Sequence, residues 1–175
     1  MSLIHRHLQL IISFNVYNYG FNHLKMRAVL QRVSRASVIS NGMLTGEINH
    51  GFVILLGIVL EDTRDDIIWM ADKIAQMRVF NDADGKMNLS LGDVDGRILV
   101  VSQFTLHAST KKGNRPSFIQ AARPEVAIPL YESFIDYLSI KTGHPVQAGI
   151  FGADMKVELI NDGPVTIILD SKNKE

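Results

Sequence analysis

The chain has 175 residues, 46% of them apolar, with 18 basic and 18 acidic side chains and no cysteine. That apolar content excludes a disordered chain, and the length suffices for one domain with a true core. Zero net charge argues against a protein that grips long nucleic acid through its phosphates, though not against one that reads an RNA end; the lack of cysteine excludes disulfides, a thiol nucleophile and a Cys-ligated metal.

Residues 1–25 read as foreign to the rest. They contain no Asp or Glu, and Arg6 and Lys25 are their only formal cations beside His5, His7 and His23, which leaves 16 basic against 18 acidic residues in the remainder. The apolar run 8–16 is too short to span a bilayer. No small-residue cleavage site follows it, and Arg and Ser are too few for a transit peptide. The segment is expected to be a non-native or mis-started extension, with Met26 the functional start, 26–175 a single domain and the location cytoplasmic.

Residues 28–33 and 37–40 have the character of strand pieces. Asn41-Gly42 is a two-residue hairpin signal leading into a strand over 43–48. The unbroken apolar run 52–59 predicts a strand buried on both faces. Ile67, Ala71, Ile74, Ala75 and Arg78 follow helical spacing, with Thr63 as N-cap and Asp65 and Asp66 at the positive end of the dipole. The stretch 80–85, Phe-Asn-Asp-Ala-Asp-Gly, has the composition of a calcium loop. Aligning Gly85 with the loop glycine puts Phe80 and Leu91 where oxygen donors are required, so it reads as an acidic turn. The apolar run 98–101 predicts another buried strand. A second helix is expected over 129–142, with Pro129 in its first turn, Gly143 at its stop and Pro145 barring continuation. Strands over 155–161 and 165–170 close the chain. With no βαβ alternation, the pattern predicts an α+β fold: a curved, mostly antiparallel sheet or open barrel flanked by two helices.

Directly after the run 98–101 stand Ser102, Gln103, Phe104, Thr105 and Leu106. Three hydrogen-bonding side chains around one aromatic either cap the strand end or build a pocket. Near the C-terminus stands the run Asn161, Asp162, Gly163, Pro164, Val165, Thr166, whose Asp-Gly pair is by itself an ordinary hairpin signal. Taken together, the SQFTL and NxGPxT segments resemble the signatures of the D-aminoacyl-tRNA deacylase family, and the text from Met26 to about Leu169, including MRAVLQRV at its start, is similar to that family throughout. The resemblance implies a homodimer that hydrolyses the ester of D-aminoacyl-tRNA, with glycyl-tRNA also admitted, and that needs no cofactor. It further implies that the Gly163-Pro164 bond is cis and that this dipeptide enters the partner subunit's pocket, where its carbonyls would collide with an L side chain and spare a D one. Arg32 resembles the arginine that pins this loop, and Thr166 completes the motif; read alone, Arg32 is equally a strand-face charge.

His50, His107 and His144 form no HxxxH or HxH array, which argues against zinc, and there is no GxSxG elbow or Walker loop. Ester hydrolysis must then use backbone N–H groups as an oxyanion site, for which Phe104-Thr105 is the candidate. Ser102 and Gln103 would shape the pocket, and the substrate's own vicinal ribose hydroxyl would activate or orient water. The rival is a nucleophilic Thr105, which needs a base. Only His107 is near in sequence, and it otherwise reads as an exposed strand-end histidine. Lys111, Lys112 and Arg115 form the densest basic cluster. Such a run is ordinarily a solvated loop, but beside the SQFTL end it becomes a clamp for the terminal phosphates of tRNA, with Phe104 and Phe118 as surfaces for the terminal adenine or ribose. Two alternatives stay open: a non-catalytic module binding RNA 3′ ends or adenine nucleotides, and a general aminoacyl-ester or peptide hydrolase.

Overall fold

The computed structural model describes residues 25–174; the expected extension lies outside these apart from Lys25. Strand β1 (Arg27–Ser40) is the spine. The two predicted pieces are one long strand, which turns at Asn41-Gly42, both with positive φ, into β2 (Met43–Ile48). Positive φ at both central positions is the turn geometry that Asn-Gly supplies at low cost. β3 (Gly51–Gly57) pairs antiparallel with the first half of β1, and β6 (Arg97–Ser102) pairs parallel with β3. The short β7 (Gln147–Ala148) extends β6, giving the order β2-β1-β3-β6-β7, while β8 (Met155–Asp170) runs antiparallel along the other edge of β1. β4 (Phe80–Asn81) and β5 (Met87–Leu89) form a separate ribbon around the acidic turn, where the Asp82 carboxylate accepts from the Asp84 and Lys86 amides and from Asn88. The result is the expected α+β class, a curved and nearly closed sheet with two helices, although its strand pairing is mixed.

Helix α1 (Arg64–Gln76) starts as predicted: the Asp66 carboxylate accepts from both the N–H and the hydroxyl of Thr63, closing a capping box. α2 starts earlier than predicted, spanning Pro124–Thr142. Pro124, not Pro129, takes the first-turn position, where the missing N–H costs nothing. Pro129 sits inside the helix and leaves the Glu125 carbonyl without its usual donor; both residues are exposed, so water can satisfy it. Gly143 stops α2 with φ 73°, as expected.

Both faces of the sheet are covered. Phe52, Ile54, Leu56, Ile98 and Val100 meet Ile67, Met70, Ile74, Phe134 and Leu138 of the helices. The concave face encloses a smaller cluster of Val33, Val38, Ile48, Val53, Leu99 and Val101. This two-sided burial is why β3 and β6 read as continuous apolar runs.

The strands expected over 155–161 and 165–170 are the two halves of one element, β8, and the hairpin that Asp-Gly alone would signal does not form. The chain does not reverse at Asp162-Gly163. Both halves of β8 pair with β1, but Asn161 lies opposite Val33 and Thr166 opposite Gln31. Four residues, 162–165, therefore bulge out across from the single residue Arg32, as an enlarged β-bulge.

Candidate functional site

β6 delivers Ser102 at its last position, and the chain then tightens into a 3-10 turn over Phe104–His107. This turn, rather than a plain strand end, carries the SQFTL segment. It is tied at entry by the Gln103 amide to the Leu56 carbonyl (2.7 Å) and at exit by Arg27, whose Nη1 donates to the Leu106 carbonyl at 3.1 Å while its Nε donates to Asp170. Inside the turn, the Leu106 and Ala108 amides bond back to Gln103 and Thr105. The Phe104 and Thr105 amides, first in the turn, bond to no carbonyl of the described residues; a tight turn leaves its leading N–H groups undedicated.

Beside Phe104 lies a cavity of about 260 Å³, lined by Ser102, Gln103 and Phe104 on one side and by Ile58, Ala122, Phe151, Gly152 and Met155 on the others; Thr105 and Leu106 do not line it. The last five lining residues were not anticipated: nothing in their local sequence marks them, and they are assembled by the Ala122 amide bonding to the Ile58 carbonyl and by the 149–155 segment, whose Gly149 amide bonds to Val100 of β6. Phe104 is 55% exposed and meets Phe118 edge to face at 5.1 Å between centroids. Lys111, Lys112 and Arg115 sit exposed on the loop that the Ser109–Ser117 bridge closes, next to this aromatic pair. Ser102, Gln103 and Phe104 thus line the cavity, and Phe118 and the basic loop lie beside Phe104 outside it.

Thr105 has little to make it a nucleophile. Its Oγ1 accepts from the Gln103 side-chain amide at 2.5 Å, and an amide cannot take its proton. His107 overturns its reading as an exposed strand-end residue: it is 2% exposed, lies in the 3-10 turn, and packs its ring over Gly57 of β3. Burial pushes its pKa down, opposed in part by the Gly57 backbone.

The second predicted group assembles elsewhere. Arg32 is 6% exposed, so it is no plain surface charge. Its Nε donates to the Asp162 carbonyl at 3.0 Å, and Nη1 to the Val79 carbonyl at 2.6 Å and Asn81 Oδ1 at 3.3 Å. The Asn161 side chain spans the bulge, accepting from the Val165 amide and donating to the Val165 carbonyl and to Thr166 Oγ1. Gly163 has φ +126°, and the Gly163-Pro164 bond is cis. Both residues are exposed, and neither lines the cavity of its own chain.

Comparisons with known proteins agree with this geometry. A family model described as D-Tyr-tRNA(Tyr) deacylase matches residues 29–170. A Flavobacterium johnsoniae protein named D-aminoacyl-tRNA deacylase is 59% identical over 150 residues, covering 86% of this chain and all of its own length. One of the same name from Akkermansia muciniphila is 60% identical with the same coverage. A solved structure titled c-Myc DNA Unwinding Element Binding Protein superposes with a TM-score of 0.76 at 44% identity, covering 82% of this chain and 97% of that one. These matches define the class as hydrolases that act on ester bonds. The chain belongs to the D-Tyr-tRNA(Tyr) deacylase family. Among the described residues no helix is long and apolar enough to cross a membrane.

Proposed function

We propose that the chain hydrolyses the ester linking a D-amino acid, or glycine, to the 3′-terminal ribose of tRNA, freeing tRNA and the amino acid. The observation that carries this is the pair of undedicated amides, Phe104 and Thr105, in a turn whose Phe104 lines the cavity and whose Thr105 hydroxyl has no base beside it. Water adds to the ester carbonyl carbon, and the two N–H groups hold the oxygen that becomes negative in the tetrahedral intermediate. The neighbouring ribose hydroxyl orients the water, and the intermediate collapses by expelling the ribose oxygen, which leaves with a proton. Ser102 and Gln103 shape the wall; Phe104 and Phe118 receive the terminal adenosine; Lys111, Lys112 and Arg115 hold the phosphates behind it.

Selectivity belongs to the dimer. The Gly163-Pro164 segment of one protomer enters the cavity of its partner and blocks an L side chain at the amino-acid Cα, while glycine, with no side chain to reject, passes. Support comes from the fixation of this exposed segment by Arg32 and Asn161 and from its absence from the lining of its own chain's cavity. A deacylation assay on D- and L-tyrosyl-tRNA tests the reading: D-tyrosine is released and L-tyrosine is retained. No release of D-tyrosine at micromolar enzyme ends the catalytic claim in favour of a binding module, and equal rates on both enantiomers point to a general esterase.

A further inference from the structure

Beside the first described residues of the chain a carboxylate is buried with no cation of the described residues paired to it. Met26 is fully buried, and its backbone N–H donates to Asp62 Oδ1 at 2.8 Å. The other carboxylate oxygen accepts from the Val59 amide, also at 2.8 Å. Asp62 is only 7% exposed, and no Lys, Arg or His of the described residues reaches it within ion-pair distance. Two charged groups face it: Asp66 of α1, which repels its charge, and Lys172 beyond β8, whose ammonium goes instead to Asp66 and to the Glu61 carbonyl. Burial pushes the Asp62 carboxyl up to about 6.

Buried charges are as a rule paired, and two amides fall short of that. The atom placed to supply the missing cation is the Met26 nitrogen itself. In a chain whose first residue is Met26, that nitrogen is an α-ammonium, already at hydrogen-bond distance from Asp62. The relatives from Flavobacterium johnsoniae and Akkermansia muciniphila align over their whole length with 150 residues of this chain, 25 fewer than it has. We propose that Asp62 is the binding site for the α-ammonium of a chain that begins at Met26, so that the N-terminus serves as a buried counter-ion. This seat also supports the cavity. Asp62 fixes Val59; the neighbouring Ile58 lines the cavity and accepts the amide of Ala122, which lines it too.

Competitive trace acylation of a chain spanning 26–175, read by mass spectrometry of its N-terminal peptide across pH, measures the amine directly. Burial alone lowers the plateau of labelling and moves the midpoint down; an ion pair moves the midpoint up. The expected midpoint lies about one unit above that of an ordinary α-amine, which makes labelling near neutral pH about tenfold slower than a free terminus allows. Asp62→Asn should return the midpoint to or below the ordinary value. The same substitution, made in the full chain, should lower Tm less than in the shorter one. An ordinary or depressed midpoint in the unsubstituted 26–175 chain overturns the proposal, as do equal Tm losses in the two chains or a 26–175 chain that fails to fold. If the Asp62→Asn form of the short chain does not fold, the midpoint of the unsubstituted chain decides alone.

Discussion

Gly57→Ala tests whether the site depends on where the 3-10 turn rests. Gly57 ends β3 directly beneath that turn. A methyl group there would stand 2.9 Å from His107 Nε2, 3.0 Å from Leu106 Cβ and 3.1 Å from the Gln103 carbonyl oxygen. All three neighbours belong to the turn or its entry, so relief to ordinary van der Waals distance requires moving the turn outward by about 0.5 Å. Overpacking of this kind costs about 1–3 kcal/mol, which at roughly 2–4 °C per kcal/mol for a chain of this size lowers Tm by about 2–12 °C. The same shift displaces the Phe104 and Thr105 amides from the developing oxyanion. Since a misplacement of about 1 Å costs on the order of 100-fold, half of that should lower kcat roughly 10-fold. KM should change less than kcat, because Phe118 and the basic loop proposed to hold tRNA lie outside the turn, and only Phe104 moves with it. Single-turnover deacylation of D-tyrosyl-tRNA gives kcat, and a thermal melt gives the stability change. A folded Gly57→Ala protein with unchanged kcat would refute the oxyanion role of these amides.

Thr105→Ala should keep kcat within about threefold, because the hydroxyl supplies no covalent step; a loss of on the order of 1,000-fold in the same assay would restore the nucleophile. Replacing Lys111, Lys112 and Arg115 together with Ala should flatten the dependence of log affinity on log salt by about 2, at roughly 0.7 per lost phosphate contact on a single strand; an unchanged slope in a filter-binding titration refutes the phosphate clamp. Gly163→Ala places a methyl 2.9 Å from Arg32 Nη2 on a backbone at φ +126°, a strain of about 1–3 kcal/mol. The displaced segment should narrow the ratio of D- to L-tyrosyl-tRNA hydrolysis, and an intact ratio would mean that the segment does not police chirality. Phe134→Ala empties a fully buried site between α2 and the sheet and should cost about 3–5 kcal/mol by chemical denaturation; a loss below about 1 kcal/mol would mean that α2 is not packed as described.

What could be read from the chain in advance was what neighbours in sequence decide. Asn41-Gly42 makes its turn whatever surrounds it, Thr63 and Asp66 close their own capping box, and a run such as Phe-Val-Ile-Leu-Leu announces two-sided burial. The failures share the opposite property. Asp162-Gly163 has the composition of a hairpin, but the residues flanking it pair with the same strand, so the chain bulges and continues. That register places Arg32 opposite the bulge and buries it against Asp162, a placement in keeping with the resemblance but not readable from strand periodicity alone. His107 looked exposed because exposure was inferred from a strand ending, whereas its burial depends on a missing Cβ at Gly57, fifty residues earlier. Asp62 drew no reading from its local sequence, since the partner that marks it, Met26, lies 36 residues away. The two motifs behave in the same way. Each was recognisable because its residues are contiguous, yet each works through a contact that is not: the 3-10 turn through Leu56 and Arg27, the bulge through Arg32. The chemistry is therefore written in short segments and its geometry in long-range pairing. For that reason the substitutions that should reveal most about catalysis, Gly57→Ala and Gly163→Ala, alter glycines that perform no chemistry themselves.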